Sequence, residues 1–356
     1  MKIQSPEMTI NDRKIGEGYL PYIIAEMSAN HNGKIENALH LINIAKQCGA
    51  DAVKLQTYTA DTLTIDSASE DFMIRGGLWD GKSLYQLYKE AFTPWEWHSE
   101  LFRHAKDLGI TIFSSPFDFS AIDFLEDLGT PAYKIASFEA VDIPLIKYAA
   151  STGKPLIIST GMISKEEIAE AVDAAYSSGC TALALLHCVS SYPALPEDYN
   201  LHTLRDIKDS FPCVAGLSDH TISNTTAISS IAMGASIIEK HFTLDRKGGG
   251  PDDSFSLEPN ELINLCSESK VSWQSMGRVD YGLKEGEKPN KKFQRSLYFM
   301  KPMKKGDTIL EDDVRSIRPG FGLPPKYIDQ VIGNILDADV DYGIPVTSEH
   351  LKNKLM

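Results

Sequence analysis

The sequence predicts a (β/α)8 barrel, the TIM-barrel architecture, followed by a small β-rich module. Eight short apolar runs alternate with helical segments between residues 22 and 242, which is the βα rhythm. The runs are continuous in apolar residues, as in parallel strands that are covered on both faces. Several helical segments end in glycine, which is typical of a left-handed C-cap. An open, doubly wound sheet is the alternative, and the absence of G-x-G-x-x-G after the first strand makes it less favourable.

The predicted elements follow one another in a regular order. The strands are "YIIAEM", "AVKLQTY", "TIFSSPF", "AYKIAS", "PLIIST", "ALALLHC", "VAGLSDH" and "SIIEKHF". The helical segments between them include "IENALHLINIAKQCG", "PWEWHSELFRHAKDLG", "AIDFLEDLG", "SKEEIAEAVDAAYSSG" and "NTTAISSIAMG". Eight such repeats over about 250 residues match a closed barrel better than an open sheet.

One connection is too long for a simple βα loop. Residues 59–92 separate the second strand from its helix, and connections of this length inside a compact domain are usually functional. Two interpretations stay open: an aromatic lid over a polar ligand, or aromatic anchors that hold the insertion against the barrel flank. The aromatic residues concerned are Trp79, Tyr85, Tyr88, Trp95 and Trp97.

Three consecutive regions are predicted along the chain. The barrel occupies residues 1–277 and ends with a helix from about Glu258 to Met276. The polar stretch "GRVDYGLKEGEKPNKK" is typical of a linker, which we assign to residues 278–292. Residues 293–356 contain short β-prone pieces and turns, such as "SLYFMKPMKKGDTI" and "VDYGIPVT". This last region is long enough only for a small compact module.

Composition restricts the classes of partner. The 356 residues carry 35 basic and 49 acidic side chains, a net charge of −14, without a basic stripe, so nucleic acid is not an expected partner. No segment approaches the roughly 20 apolar residues of a membrane span, and residues 1–14 lack the apolar core of a leader, so the cytoplasm is the expected location. The dispersed, odd-numbered cysteines predict buried apolar side chains rather than disulfides or a zinc site. They are Cys48, Cys180, Cys188, Cys213 and Cys266.

Polar side chains stand at the carboxyl end of essentially every predicted strand, which is where a (β/α)8 barrel has its active site. They are Glu26, Lys54, Gln56, Ser114, Ser115, Lys134, Ser137, Ser159, Thr160, His187, Ser218, Asp219, His220, Glu239 and His241. Strand alternation places pairs such as Lys54 and Gln56 on the same face. Since a polar face inside a barrel needs a ligand, we expect a binding or catalytic site at this end.

Two histidines end neighbouring strands and suggest a metal site. His220 and His241 follow the seventh and eighth predicted strands, so their imidazoles are expected within reach of one ion. Two imidazoles with scattered oxygens suit Mn, Zn, Co or Fe better than Ca, and vacant coordination positions would make the ion a Lewis acid. Two separately bonded core histidines are the alternative.

Two lysines on different strands predict an anion site. Lys54 and Lys134 are surrounded by strand-end hydroxyls, and this combination suits a carboxylate or a phosphate in a partly dry pocket. A Schiff-base aldolase with Lys134 as the nucleophile is a competing chemical interpretation. A purely structural one pairs each lysine with Glu26 or Glu239, and we expect it to be weaker because two buried cations are costly without anionic ligands.

At these residues the sequence resembles the sialic acid synthase family, which condenses phosphoenolpyruvate with an amino sugar. The resemblance rests on "IAEMSANHNG", "ADAVKLQTY", "SSPFD", "YKIAS", "ISTGM", "LHCVSSYP", "GLSDHT" and "EKHFT" and covers nearly the whole chain. The segments "RSLYFMKPMKKGDTI" and "RPGFGLPP" resemble the SAF (antifreeze-like) domain of the family. The segment "WDGKSLYQLYKEAFTPWEWH" is similar to the pseudaminate-forming branch, which implies 2,4-diacetamido-2,4,6-trideoxy-L-altrose as the sugar.

The resemblance implies a role for each candidate residue. His220 and His241 would hold a divalent cation, Mn or Mg with Co also compatible, that polarises the aldehyde of the open-chain sugar. Glu26 would be the acid or base near the reacting carbons. Arg318 would reach an N-acyl group across a domain-swapped homodimer in which each SAF domain caps the barrel of the other chain. The residues implied in phosphoenolpyruvate binding are Lys54, Lys134, Ser115, Ser137, Ser159 and Ser218. Those implied in facing the sugar are Gln56, Asp61 and Tyr192. Ser190 is the remaining residue of the substrate-binding set.

Two rival functions follow from the same sequence. N-acetylneuraminate or legionaminate synthesis would keep the chemistry and change the sugar. A saccharide- or ice-binding protein that acts through the C-terminal module would need no working barrel. The presence of Glu26, Lys54, Lys134, His220 and His241 together argues against this non-enzymatic function.

Overall fold

The computed structural model describes residues 6–354, which divide into two compact units, Met1–Gly277 and Arg278–Met356. Residues 1–5 and 355–356, which were assigned to the first and last predicted regions, lie outside the described residues. None of the described helices is long and apolar enough to cross a membrane.

The first unit begins with a β-hairpin that the sequence analysis did not predict. Strand β1 (Glu7–Ile10) pairs antiparallel with β2 (Arg13–Gly16). The turn is formed by Asn11 and Asp12, whose φ angles of 44° and 63° lie in the left-handed region that these residue types tolerate. The apolar side chains of the hairpin, Ile10 among them, are buried against the first residues of the barrel strands.

The predicted barrel is confirmed. Eight parallel strands close in the order β10-β3-β4-β5-β6-β7-β8-β9. They are β3 (Tyr22–Glu26), β4 (Ala52–Thr57), β5 (Thr111–Pro116), β6 (Tyr133–Ile135), β7 (Leu156–Ser159), β8 (Leu183–Cys188), β9 (Val214–Asp219) and β10 (Ile237–His241). Each coincides with one of the eight apolar runs quoted above.

Helices follow the strands and cover the barrel. They are α1 (Ile35–Cys48), α2 (Ala60–Leu63), α3 (Leu84–Ala91), α4 (Trp95–Leu108), α5 (Phe119–Asp127), α6 (Ile143–Ser151), α7 (Lys165–Ser177), α8 (His202–Ser210), α9 (Thr225–Ala232) and α10 (Pro259–Met276). The predicted glycine caps are present at α1 and α4. There Gly49 and Gly109 adopt φ of 91° and 67°, and their N–H groups donate to carbonyls of the last helical turn.

Side chains alternate between the barrel interior and the helix layer along each strand, and this alternation positions the site. In β3, Ile23 belongs to the apolar layer shared with α1, whereas Ile24 packs in the barrel interior beside the hairpin. Two positions beyond Ile24, the same face carries Glu26. Strand β10 repeats the pattern, with Ile237 in the apolar interior and Glu239 two positions later. The interior is therefore apolar at the start of the strands and polar at their carboxyl ends.

The second unit has its own core. Strands β11 (Ser296–Phe299) and β12 (Val314–Ile317) pair antiparallel, and a short helix α11 spans Ile328–Val331. Leu297 and Phe299 are fully buried in an apolar cluster of this unit. The segment predicted as a linker lies at the start of the unit, and Glu285–Phe293 in it forms exposed 3-10 turns.

Candidate active site

The carboxyl ends of β3, β4 and β5 meet in a buried polar network. Lys54 Nζ lies 2.8 Å from Glu26 Oε2 and donates to Ser115 Oγ at 3.1 Å. Gln56 Nε2 donates to Glu26 Oε1 and to Ser28 Oγ, both at 2.9 Å. Burial raises the pKa of Glu26 to about 7, although the nearby Lys54 opposes this shift. The expectation that pairing of the lysines with Glu26 or Glu239 would be the weaker interpretation needs correction for Lys54, because Lys54 forms an ion pair with Glu26.

Glu239 brings a second carboxylate to the lysines from β10, the strand next to β3. Glu239 Oε1 lies 3.8 Å from both Lys54 Nζ and Lys134 Nζ and accepts a hydrogen bond from Ser218 Oγ at 3.2 Å. Burial opposes ionisation of Glu239, but Lys134 and Lys54 outweigh burial and lower its pKa. Burial lowers the pKa of Lys134, whose ammonium also donates to the carbonyl of Ile135 at 3.0 Å. The two lysines are thus held close together around one carboxylate.

Three of the predicted hydroxyls lie at the ends of β6, β7 and β8. Ser137 Oγ accepts from the N–H of Gly161 at 3.2 Å. A Cβ on Gly161 would lie 2.8 Å from Ser137 Oγ and 2.3 Å from Ser190 Oγ, so both hydroxyls crowd this glycine. Ser159 Oγ is buried without a hydrogen-bond partner. Hydroxyls of this kind, beside a backbone N–H, are donors that suit a phosphate.

The two predicted histidines meet as expected from their positions on adjacent strands. The ring centroids of His220 and His241 are 5.4 Å apart. His220 Nδ1 lies 2.8 Å from the carbonyl of Val189, and His241 Nδ1 lies 3.9 Å from Asp252 Oδ2. Burial, then the charges of His220 and Lys54, lowers the pKa of His241 well below its usual value, which keeps this imidazole neutral.

The donor set fits a divalent metal ion. His241 Nδ1 is a buried nitrogen without a hydrogen-bond partner, and a neutral imidazole in that state is a ready metal ligand. The Val189 carbonyl occupies Nδ1 of His220 and leaves Nε2 as the available lone pair. Within residues 6–354 no group of three His, Cys, Asp or Glu side chains has the arrangement of a complete metal site. Two imidazoles alone would leave most coordination positions to water and substrate.

A cavity of about 400 Å³ has His241 in its lining, and Tyr192, another lining residue, packs against His220 at 4.4 Å between ring centroids. The polar or aromatic groups of the barrel mouth that line it are Gln56, Glu139, Tyr192, His241 and Asp252. The long connection after β4 contributes Leu63, Ile74, Trp79, Leu84, Leu87 and Tyr88 to the same lining. A larger cavity of about 590 Å³ in the same unit carries none of the candidate residues.

The structure divides the aromatic residues of the long connection between the two interpretations. Trp79 and Tyr88 line the cavity, and the indole N–H of Trp79 donates to the carbonyl of Pro251 at 3.0 Å. Trp95 instead stacks on Phe124, at 4.7 Å between ring centroids, and Trp97 packs against the apolar layer around α1. Trp79 and Tyr88 of the connection therefore contribute to the lining of the cavity, whereas Trp95 and Trp97 belong to α4 and anchor that helix to the barrel flank.

Several polar strand-end residues lie outside the barrel mouth. His187 Nε2 contacts the carbonyl of Tyr199 at 2.5 Å, Ser114 bonds to Thr57, and Asp219 pairs with Lys240 at 2.8 Å. Among the residues expected to face the sugar, Gln56 and Tyr192 line the cavity, whereas Asp61 is exposed and accepts from the Tyr85 hydroxyl at 3.0 Å. Arg318 follows β12 in the second unit and is exposed there.

The structure adds residues that the sequence analysis did not assign. Asp252 is half-buried in the loop after β10, and Ser28 Oγ donates to it. Asp253 fixes the same loop by accepting from the N–H of Gly250 at 2.8 Å and from Asn32 Nδ2 at 3.0 Å. Cys188 Sγ lies 3.8 Å from His220 Nδ1. The signal available for Asp252 and Asp253 was the acidic pair inside "KGGGPDDSF", where glycines allow close backbone approach.

Comparisons with known proteins agree with this geometry and with the predicted resemblance. The model of the NeuB family matches residues 41–281, and that of the SAF domain matches residues 294–352. The chain is 42% identical over 322 residues to the pseudaminic acid synthase of Campylobacter jejuni, a match that covers 90% of this chain and 94% of that protein. It is 35% identical to the N,N'-diacetyllegionaminic acid synthase of Legionella pneumophila, with 95% and 96% covered.

A solved structure supports the same assignment. The crystal structure of N-acetylneuraminic acid (sialic acid) synthetase from Leptospira borgpetersenii, in complex with citrate, superposes with a TM-score of 0.73 at 31% identity. The match covers 82% of this chain and 96% of that one. The family model spans most of the barrel unit, and the sequence identity extends over nearly the whole chain. This chain belongs to the NeuB family.

Proposed function

We propose that the chain condenses phosphoenolpyruvate with 2,4-diacetamido-2,4,6-trideoxy-L-altrose and water, giving pseudaminate and phosphate. The observation that carries the proposal is the arrangement of the barrel mouth. Two buried lysines with surrounding hydroxyls lie at the same strand ends as His220 and His241, and His241 lines a cavity whose lining also includes apolar side chains of the connection after β4. The 42% identity to a pseudaminic acid synthase, against 35% to a diacetyllegionaminic acid synthase, supports the choice of sugar.

In this proposal the lysines and hydroxyls bind phosphoenolpyruvate. Lys54 and Lys134 would neutralise its carboxylate and phosphate, and the hydroxyls would accept or donate the remaining hydrogen bonds. The hydroxyl groups concerned are those of Ser115, Ser137, Ser159, Ser190 and Ser218. Because the lysines act as fixed charges, no Schiff base with Lys134 is required.

His220 and His241 would hold the divalent cation, Mn or Mg with Co also compatible. When bound, this ion supplies Lewis-acid polarisation of the sugar aldehyde. Carbon 3 of phosphoenolpyruvate then bonds to the aldehyde carbon, water adds at carbon 2, and phosphate leaves by cleavage of the C–O bond. Glu26, with its pKa raised to about 7 by burial, would hold or release a proton beside the reacting carbons.

The proposal also concerns assembly and location. The chain would work as a domain-swapped homodimer in the cytoplasm, with Arg318 of one chain completing the sugar site of the other. Gln56 and Tyr192 would contact the sugar from the barrel side, since both line the cavity. Asp61 would join them after a rearrangement of α2, because it is exposed in this structure.

The test is phosphate release from phosphoenolpyruvate with Mn²⁺ and each of three sugars offered separately. They are the L-altro diacetamido sugar, its D-manno counterpart and N-acetylmannosamine. Strong preference for the first supports the proposal. Preference for the second or third would replace pseudaminate synthesis by legionaminate or N-acetylneuraminate synthesis. No phosphate release with any sugar would favour the non-enzymatic, saccharide-binding alternative.

A further inference from the structure

The apolar wall of the cavity has no role in the chemistry described so far. It is built by the connection after β4, in which Ile74 N donates to the Lys82 carbonyl and Gly81 N donates to the Ile74 carbonyl, at 2.9 and 3.1 Å. These bonds form a small hairpin that carries Ile74 and Trp79, and α3 follows it directly. The capping box at Ser83 fixes the start of α3 and with it Leu84. The residues of the wall are therefore held in place by backbone hydrogen bonds and by the helix cap.

This wall offers few groups that could form a hydrogen bond with a substrate. The indole N–H of Trp79 is already bonded to the carbonyl of Pro251. Among the lining side chains from this connection, the hydroxyl of Tyr88 is the polar group that remains, and the others are aliphatic. A substrate hydroxyl that points at Ile74 and Leu84 would lose its hydrogen bonds to water without replacement.

The position of His241 determines which end of a sugar reaches the apolar part of the lining. His241, Asp252 and Gln56 line the same cavity as Ile74 and Leu84, but they come from the barrel strands and the loop after β10 rather than from the connection. An aldehyde carbon that reacts there is carbon 1 of an open-chain hexose, so carbon 6 is the far end of the chain. The cavity of about 400 Å³ is large enough for one such sugar.

We infer that Ile74 and Leu84, with Trp79 beside them, are specificity-determining residues that select a methyl group over a hydroxymethyl group at carbon 6 of the sugar. The inference rests on the proposed function and extends it from a substrate to the residues that recognise one substituent. Apolar pockets discriminate against an added hydroxyl by about 10- to 100-fold in kcat/KM, and we expect a preference of that size.

The test compares the 6-deoxy L-altro diacetamido sugar with its 6-hydroxy counterpart, at saturating phosphoenolpyruvate and Mn²⁺. Leu84→Asn and Ile74→Thr place a hydrogen-bonding group on the wall, so each should reduce the preference for the deoxy sugar to a few-fold. The matched controls are Leu78→Asn and Ile65→Thr, because Leu78 and Ile65 belong to the same connection, are exposed and do not line the cavity. The controls should keep the wild-type preference.

An unchanged KM for phosphoenolpyruvate in every variant shows that the barrel remains folded. Equal losses on both sugars in Leu84→Asn and Ile74→Thr would overturn the inference while the proposed function stands. So would a change of preference in the controls as large as in the cavity variants. A wild-type protein that prefers N-acetylmannosamine to both diacetamido sugars would overturn the proposed function, and the inference with it.

Discussion

Glu26 and Glu139 are two carboxyl groups at the barrel mouth whose pKa burial raises to about 7, and Glu26 is the one in contact with Lys54. Its pKa is raised to about 7 by burial, whereas Lys134 and Lys54 lower the pKa of Glu239. Both lysines already have carboxylate neighbours, at 2.8 to 3.8 Å. An incoming phosphate anion must compete with these carboxylates for the lysines. Protonation of Glu26 removes one competing charge, and it costs less free energy than protonation of Glu239 because Glu26 has the raised pKa.

The raised pKa of Glu26 predicts how stability depends on pH. Between its ordinary value of 4.5 and about 7, the folded protein retains a proton that the unfolded chain has released. The free energy of unfolding therefore falls as pH rises through this window and levels off above it. In Glu26→Gln the fall should be shallower. Urea unfolding of the metal-free protein between pH 5 and 8 measures this, and identical slopes for the two proteins would contradict it.

A second prediction concerns His241. His241→Ala should abolish both turnover and retention of Mn²⁺ while the thermal midpoint of the metal-free protein stays close to that of the wild type, because His241 Nδ1 makes no hydrogen bond in the fold. Metal content after dialysis and phosphate release are the measurements. His104→Ala is the control, since this α4 histidine contacts Asn43 on the outer face of the barrel. Full activity of His241→Ala after chelation would remove the metal assignment.

Whether a strand side chain faces the barrel interior could be predicted where the alternation of side chains along the strand was applied. Ser115 and Lys134 lie inside the barrel, and alternation along their strands gives this result. His187 ends β8 next to Cys188, and only one of two neighbouring residues can face the interior. Its contact with Tyr199 shows that it is the outward one. Asp252 was not predictable by this alternation, because it lies in a loop without periodicity.

At the scale of elements, periodic segments were predicted and irregular ones were not. All eight barrel strands are present because each run of apolar residues is covered on both faces. The N-terminal hairpin was missed, since its four-residue strands are short and only the Asn11–Asp12 pair marks the turn. The connection 59–92 was recognised by its length, but the capping boxes at Thr59 and Ser83, which mark the starts of its helices, were not used to predict them.

The loop after β10 is an element whose packing can be tested. A Cβ on Gly250 would lie 1.8 Å from Asn32 Oδ1, inside the contact between Asn32 and Asp253. Gly250→Ala must therefore displace the loop that carries Asp252 and the Pro251 carbonyl. We expect kcat/KM for the sugar to fall by about 10-fold or more.

Gly18→Ala is the matched control for Gly250→Ala. Nothing lies within 4 Å of a Cβ at Gly18, so this variant should behave as the wild type. Thermal unfolding of both variants separates a local displacement of the loop from a general loss of stability. Wild-type kinetics in Gly250→Ala would mean that the loop does not position the cavity wall.

At the scale of the whole molecule, the proposed dimer makes a kinetic prediction. Arg318→Ala should raise the KM for the sugar by roughly 10- to 100-fold, the usual effect of losing a hydrogen bond to a charged group, and leave the KM for phosphoenolpyruvate unchanged. Steady-state phosphate release with each substrate varied in turn measures both constants. Arg315→Ala on β12 is a control from the same unit. Equal effects on both constants would mean that Arg318 does not contact the sugar.

The hairpin β1–β2 has a consequence for the order of events during turnover. Its buried Ile10 and Ile15 close the barrel at the start of the strands, so substrates and products share a single entrance at the other end. The Lys54 and Lys134 side chains, which bind phosphoenolpyruvate in the proposed function, are only 4% and 2% exposed. A phosphoenolpyruvate molecule held there must arrive before the sugar and is sealed in by it. Kinetics should therefore be sequential and ordered, and an unreactive sugar analogue should inhibit uncompetitively against phosphoenolpyruvate.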